Sequence, residues 1–247
     1  MPHGNPDWWG GSPKETTYAL GDMAELAARM GSVVTWDRRG DVLLMDDFRH
    51  GISQCERTAY GDDGEIWLDA GWSRFGSLHA VLYGASSGLS QCNLTYTIPR
   101  PPYSKIGVEF SFGYHERVTY LQWRLTWYTG AQVHKARVRW NAANATLEYY
   151  HASPGWTQFA TNIALTEKGA PVNTGKLVVD FVNHTYERFI LNAATYAMTD
   201  YVYSLDTDVV TPPQLTAEVQ MEGQTGYHPQ IRSEERRVGK ECRSRWS

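Results

Sequence analysis

The amino-acid sequence predicts an all-β fold, an antiparallel sandwich, preceded by a loose N-terminal arm and one short helix. Three observations carry this. Many short segments alternate apolar and polar residues with a period of two, as half-buried strands do. They are separated by turns rich in Gly, Pro and Asn. The longest, Val118 to Tyr128, sets Leu121, Trp123, Leu125 and Trp127 against Tyr120, Gln122 and Arg124.

The chain has 247 residues, enough for one large sandwich with a full core. Residues 1–17 are rich in Gly, Pro, Asn and Ser and read as an arm, with Trp8 and Trp9 expected to pack on the body or on a neighbouring subunit. Asp22 to Met30 reads as a helix: Asp22 is an N-cap, Gly31 follows the C-terminus, and Leu20, Met23, Ala27 and Met30 share a face. So short a helix needs a larger body to dock on.

Strands follow. Val33 to Trp36 and Val42 to Met45 flank the turn signal Asp37-Arg-Arg-Gly40. Glu65 to Leu68, Ala80 to Tyr83 and Ser90 to Ile98 come next, and Pro99-Arg-Pro-Pro102 then interrupts pairing, because Pro lacks a ladder donor. Lys105 to Tyr114 has Val108, Phe110 and Phe112 on one face. After Val118 to Tyr128, the meander continues with Val133 to Trp140, Thr146 to Tyr150 and Gln158 to Ile163. Lys176 to Asn183 and Arg188 to Leu191 form a hairpin around His184 and Thr185, and Leu215 to Met221 is the last clear strand.

Residues 232–247 stand apart. They run Arg232-Ser-Glu-Glu-Arg-Arg-Val-Gly-Lys-Glu-Cys-Arg-Ser-Arg-Trp-Ser247. Back-translated, the string is compatible with a common short-read sequencing-library adapter read in frame. It is therefore expected to be a foreign addition, on a chain of environmental origin cut short at its C-terminus. The competing reading is a natural basic tail for nucleic acid or membrane. The tail holds six Lys or Arg against three Asp or Glu, so the body is more acidic than the formal −4 of the whole chain. Such a body lacks the basic stripe of a nucleic-acid binder. No run of eighteen apolar residues suits a membrane span, and the N-terminus lacks the basic start and apolar stretch of a signal peptide. Apart from Cys242 in the tail, Cys55 and Cys92 either pair or stand as two buried thiols, the commoner state of Cys in a core.

The segment Val42-Leu-Leu-Met-Asp-Asp-Phe-Arg-His-Gly51 resembles the opening strand of concanavalin A-like jelly-roll domains, which often carry an apolar strand, Asp-Asp-Phe, a Gly and soon a Trp. Cys55 stands near the expected Trp. Gly175-Lys-Leu-Val-Val-Asp-Phe-Val182 and Tyr186-Glu-Arg-Phe-Ile-Leu-Asn192 are similar to the paired strands of such domains. The resemblance covers about residues 41–231. It implies a jelly-roll sandwich whose last strand returns to the start, so a chain ending at Gly226-Tyr-His-Pro-Gln-Ile231 is expected to leave an unpaired edge. The fold by itself hosts lectins, hydrolases, lyases and virion proteins alike.

No catalytic constellation is legible. Glycoside hydrolysis needs two carboxylates about 5–9 Å apart. The nearest imitation is Glu65 and Asp69 around Trp67, expected to be a solvated strand edge, and Glu109 has no carboxylate near it in sequence. The His residues form no spaced pair, and no nucleophile-elbow, phosphate-loop or zinc motif occurs. Asp206 and Asp208, and the turn residues Asp62 and Asp63, are the candidates for a Ca²⁺ site, with turn chemistry as the competing reading. The sequons at Asn93, Asn144 and Asn183 are expected by chance.

One surface carries chemistry. Alternation in the meander puts Leu121, Trp123, Leu125, Trp127, Ala136, Val138, Trp140, Leu147 and Tyr149 in the core. The opposite face takes Tyr120, Gln122, Arg124, Tyr128, Lys135, Arg137, Arg139, Glu148 and Tyr150. Aromatic rings stack on sugar faces and Arg makes planar hydrogen bonds, so this face is a candidate surface for a glycan or an anionic partner; a merely solvated sheet face is the alternative. Two settings are compatible: a phage virion-associated protein at the capsid surface or tail, binding other virion subunits or glycan without catalysis, and a bacterial carbohydrate-binding module or polysaccharide-active enzyme. No cofactor is implied.

Overall fold

The computed structural model describes residues 41–46, 48, 51–70, 78–86, 90–99, 105–115, 117–153, 155–167, 173–224 and 227–241. The helix expected at 22–30, the strand at 33–36 and the arm bearing Trp8 and Trp9 lie outside them. Sixteen strands are present: β1 Asp41–Asp46, β2 Glu56–Tyr60, β3 Glu65–Asp69, β4 His79–Tyr83, β5 Gln91–Pro99, β6 Lys105–Tyr114, β7 Val118–Tyr128, β8 Gln132–Asn141, β9 Thr146–His151, β10 Gly155–Ala160, β11 Asn173–Asp180, β12 Thr185–Leu191, β13 Ala194–Ala197, β14 Ser204–Thr207, β15 Gln214–Gly223 and β16 Gln230–Glu241.

They form two eight-stranded antiparallel sheets. Sheet A runs β13-β12-β11-β6-β16-β4-β3, with β1 also on β16; sheet B runs β10-β9-β8-β7-β15-β5-β2, with β14 also on β8. The late strands β15 and β16 each slot between early ones, β15 between β7 and β5 and β16 between β6 and β4. The architecture is a jelly-roll β-sandwich, as the strand pattern and the resemblance imply.

Alternation places the core between the sheets. Ile106, Val108, Phe110 and Phe112 of β6 face Leu121, Trp123, Leu125 and Trp127 of β7, all under a tenth exposed. Trp123 is the centre: its ring lies 5.0 Å from Phe110, 5.6 Å from Phe112 and 4.9 Å from Phe189. Gly175 makes room for it, since a Cβ there would overlap the indole. Burying aromatic side chains of this size is the main favourable term in such a core.

The Asp-Asp-Phe segment has a structural role at the corner leaving β1. Asp46 accepts from the Phe48 N–H at 2.8 Å through one oxygen and from the Tyr96 hydroxyl at 2.6 Å through the other. Phe48 is fully buried in the left-handed backbone region (φ 60°), so the carboxylate holds a strained turn against a side chain of the opposite sheet. Cys55, near the position of the expected Trp, packs in the core, and Cys55 and Cys92 are two buried thiols rather than a disulfide. Burial pushes the Cys92 thiol up to about 12, with the Tyr83 carbonyl accepting its S–H at 3.1 Å.

The sandwich does not stop at Ile231. Strand β16 crosses into residues 232–241, pairing with β6 on one side and with β4 and β1 on the other. The unpaired edge expected there is instead an interior slot that is filled. Val238 is the single large apolar side chain among residues 232–241, and the register slips between Ser233 and Arg236. The physical reason is that an interior slot offers two rows of backbone partners, and ladder hydrogen bonds do not depend on side-chain identity. Strands β2, β13 and β14 are too short and polar to stand out by alternation, and β10 begins at Gly155 rather than Gln158.

Candidate functional site

The outward face of sheet B is built by the register of five strands. One row runs Gln220, Gln122, Arg139, Glu148 and Gln158; the next opposes Glu218 to Arg124 and Arg124 to Arg137, with Tyr150 opposite Trp156 beyond. Side chains on a row stand about 5 Å apart, so each can touch the next.

Arg139 organises the first row. Its Nε donates to Glu148 at 2.6 Å, and its guanidinium carbon lies 4.1 Å from the ring centres of both Tyr120 and Trp156. Burial opposes ionisation of Glu148, but hydrogen bonds from Arg139, Asn141 and Thr146 outweigh it and hold the carboxyl below its usual range. The two rings are therefore clamped by a cation that is itself anchored. Trp156 extends to Tyr150 (5.3 Å between centroids, 68° between planes), and Tyr150 underlies the Arg137 guanidinium at 5.0 Å.

The second row is charged. Arg124 donates to Glu218 at 3.2 Å, and Thr95 donates to the other Glu218 oxygen at 3.3 Å. Arg137 sits opposite Arg124 with no carboxylate in ion-pair contact among the described residues, and its Nε–H is buried without a partner. Burial, then the neighbouring Arg124 charge, lowers the pKa of Arg137 from the usual guanidinium value.

The residues expected on this face divide in two. Tyr120, Gln122, Arg124, Arg137, Arg139 and Tyr150 come together, with Gln122 donating to Gln220 at 3.0 Å. Tyr128 lies eight residues along β7 from Tyr120, about 26 Å away at strand rise. Lys135 is taken up by Asp206 at 2.7 Å. Trp156, Glu218 and Gln220 are additions to the sequence-based set. The period of Gly155-Trp-Thr-Gln-Phe-Ala160 sets Trp156 and Gln158 on one face, but the turn signal Ser153-Pro-Gly155 just before it masks the start of the strand. Glu218 and Gln220 were not legible, because only the pairing of β15 with β7 brings them in.

The carboxylates expected elsewhere have local partners. Asp208 accepts from the N–H groups of Val210 and Thr211 and from the Thr211 hydroxyl, which is turn chemistry. Asp63 accepts from the N–H and hydroxyl of Ser86. Among the described residues no group of three His, Cys, Asp or Glu stands together to hold a metal. Asp69 faces His79 at 3.7 Å, and Glu109 faces Lys176 at 3.7 Å. No helix among the described residues is long and apolar enough to cross a membrane.

A separate cavity of about 550 Å³ opens at one end of the sandwich, lined by Trp127, Thr129, Gln132, His134, Phe181, Val182 and His184. His134, one of these, is buried, with Nδ1 3.1 Å from the Tyr203 hydroxyl.

These two sheets and their crossovers define the class: an all-β antiparallel jelly-roll sandwich. No family model matches the chain, and no curated protein matches it in sequence. Solved structures do share the fold. A cellulose-induced protein, Cip1, superposes with a TM-score of 0.53 at 13% identity, covering 79% of this chain and 96% of that one. An immunostimulatory antigen and pseudo β-1,3-glucanase of Mycobacterium tuberculosis gives 0.51 at 10% identity, over 82% and 100%. The potassium-bound carbohydrate recognition domain of Emp46p gives 0.50 at 11% identity, over 82% and 96%.

Proposed function

We propose that this protein is a non-catalytic glycan-binding β-sandwich, with the outward face of sheet B as its binding surface. The observation that carries this is the set of three rings, Tyr120, Trp156 and Tyr150, on one outward sheet face, the first two held by Arg139 and the third by Arg137. Rigid rings on a flat sheet suit the C–H faces of pyranose units, and the flanking Gln and Arg side chains supply hydrogen bonds to hydroxyls. A domain named for carbohydrate recognition shares the fold, which is consistent with this reading.

The virion-assembly reading is the weaker one on physical grounds. Subunit interfaces have an apolar centre depleted in charge. This face is charged at its centre, where Arg124, Glu218, Arg139 and Glu148 pair among themselves. A glycan-binding module carried on a virion would use the same residues.

The test is a glycan array followed by titration calorimetry on the best hit. Tyr120→Ala combined with Trp156→Ala should weaken binding roughly 5- to 150-fold, each ring contributing about 0.5–1.5 kcal/mol. Binding unchanged by the double substitution, or an array with no hit, sinks the proposal.

A further inference from the structure

The face has a charge imbalance at one position. Arg124 and Arg137 are direct cross-strand neighbours, an arrangement that is destabilising for like charges. Glu218 compensates one of them: it lies 3.2 Å from Arg124 Nη1, and its second oxygen is bound by Thr95. Arg139, the third guanidinium, has Glu148. Arg137 alone of these three lacks a carboxylate in ion-pair contact among the described residues, with Glu218 attracting it only from beyond contact distance, and its Nε–H, like that of Arg124, is buried without an acceptor.

The position of that missing anion is constrained. The Arg137 guanidinium lies over Tyr150, whose ring adjoins Trp156. An anionic group on Arg137 thus belongs to a molecule whose body lies beside the Tyr150 and Trp156 rings, which stand edge to face at 68°. Arg presents a planar fork that matches a carboxylate by two parallel hydrogen bonds.

We infer that the face selects uronic-acid sugars, with the uronate carboxylate on Arg137 and the pyranose ring packed beside Tyr150 and Trp156. This rests on the glycan-binding reading and names its substrate class. Arg139 and Arg124 keep their internal carboxylates and act as positioning residues for the rings and for Arg137. Nothing covalent takes place: binding replaces a missing internal counter-ion with one carried by the ligand.

The experiment is calorimetric titration of the full chain with four polymers: polygalacturonate, its methyl ester, dextran sulfate and dextran. Polygalacturonate should bind best, and the methyl ester, which keeps the rings and loses the charge, roughly 10- to 100-fold more weakly. Arg137→Gln should erase that difference while leaving the weak binding of the methyl ester intact. Arg137→Lys should restore only part of it, because the charge returns without the fork. A near-ultraviolet circular dichroism spectrum matching the parent's establishes that each variant is folded.

Equal binding of acid and ester, or an acid preference unmoved by Arg137→Gln, overturns the inference and leaves the glycan-binding reading standing. Dextran sulfate binding better than polygalacturonate in an Arg137-dependent way also overturns the uronate assignment, replacing it with a sulfate. No binding of any of the four overturns the inference, and the array with Tyr120→Ala and Trp156→Ala decides the wider reading independently.

Discussion

Tyr186, on sheet A, completes the backbone hydrogen bonding of Arg137, on sheet B. Its hydroxyl accepts from the Arg137 N–H at 3.0 Å and points its own hydrogen at the carbonyls of Arg137 and Tyr150, 3.0 and 2.8 Å away. The reason lies in the edge of β8. Residues 138–141 of β8 pair with β9, and residues 132–135 pair with β14. The two partners diverge, and Arg137 falls in the fork with its backbone groups unpaired by either strand. A phenol from the opposite sheet fills the gap, and burial raises its pKa so that the neutral, donating form persists.

Tyr186→Phe should therefore cost more than its single oxygen suggests. It leaves a buried N–H and carbonyl at Arg137 without partners, about 1–3 kcal/mol of stability. Urea denaturation should show a lower midpoint at unchanged slope. The same variant should bind glycan less well, because Arg137 and Tyr150 are both held by this hydroxyl. Parent-like stability would mean that water takes the place of the phenol.

Gly175→Ala probes the packing of the two sheets. The new methyl meets the Trp123 ring, whose other faces are already filled by Phe110, Phe112 and Phe189. Overpacking of this kind costs about 1–3 kcal/mol. Trp123→Phe alone should also destabilise, by leaving a void. The double variant should be more stable than the sum of the two losses predicts, and strict additivity in the double-mutant cycle would refute the contact.

His134 makes stability depend on pH. Burial, aided by the charge of His184, pushes its pKa down to about 4, against an ordinary value near 6.5 for the unfolded chain. As pH falls below about 6.5 the unfolded state takes up the proton first, so stability is lost progressively until pH passes about 4 and then levels off. The loss from this group is on the order of 3 kcal/mol. His134→Gln should flatten that part of the stability profile relative to the parent. An NMR titration placing His134 near 6.5 would remove the basis for the effect.

Removing residues 232–247 tests the place of β16. The deletion strips β6, β4 and β1 of a shared partner and opens the middle of sheet A. A large fall in the thermal midpoint is expected, together with exposed apolar surface detectable by dye binding. An unchanged midpoint would show that the segment resembling adapter sequence has no place in the folded domain.

The division between local and distant information runs through these same residues. Alternation is a property of neighbouring residues, so Val118 to Tyr128 by itself assigned Trp123 to the core and Tyr120, Gln122 and Arg124 to the outward face. The aromatic and basic character of that face was legible for the same reason, except at Trp156, where a turn signal at Ser153, Pro154 and Gly155 hid the start of β10. What the sequence could not determine was which strands lie side by side. Glu218 reaches Arg124 across ninety-four positions of chain and Tyr186 reaches Arg137 across forty-nine. Backbone ladders carry no label for their partners, so the tertiary structure alone decided that one arginine of the face touches a carboxylate and its neighbour does not. It also decided that the slot beside β6 is filled by residues whose composition gives no hint of a strand, because there the backbone supplies the pairing and the surrounding sheet supplies the place.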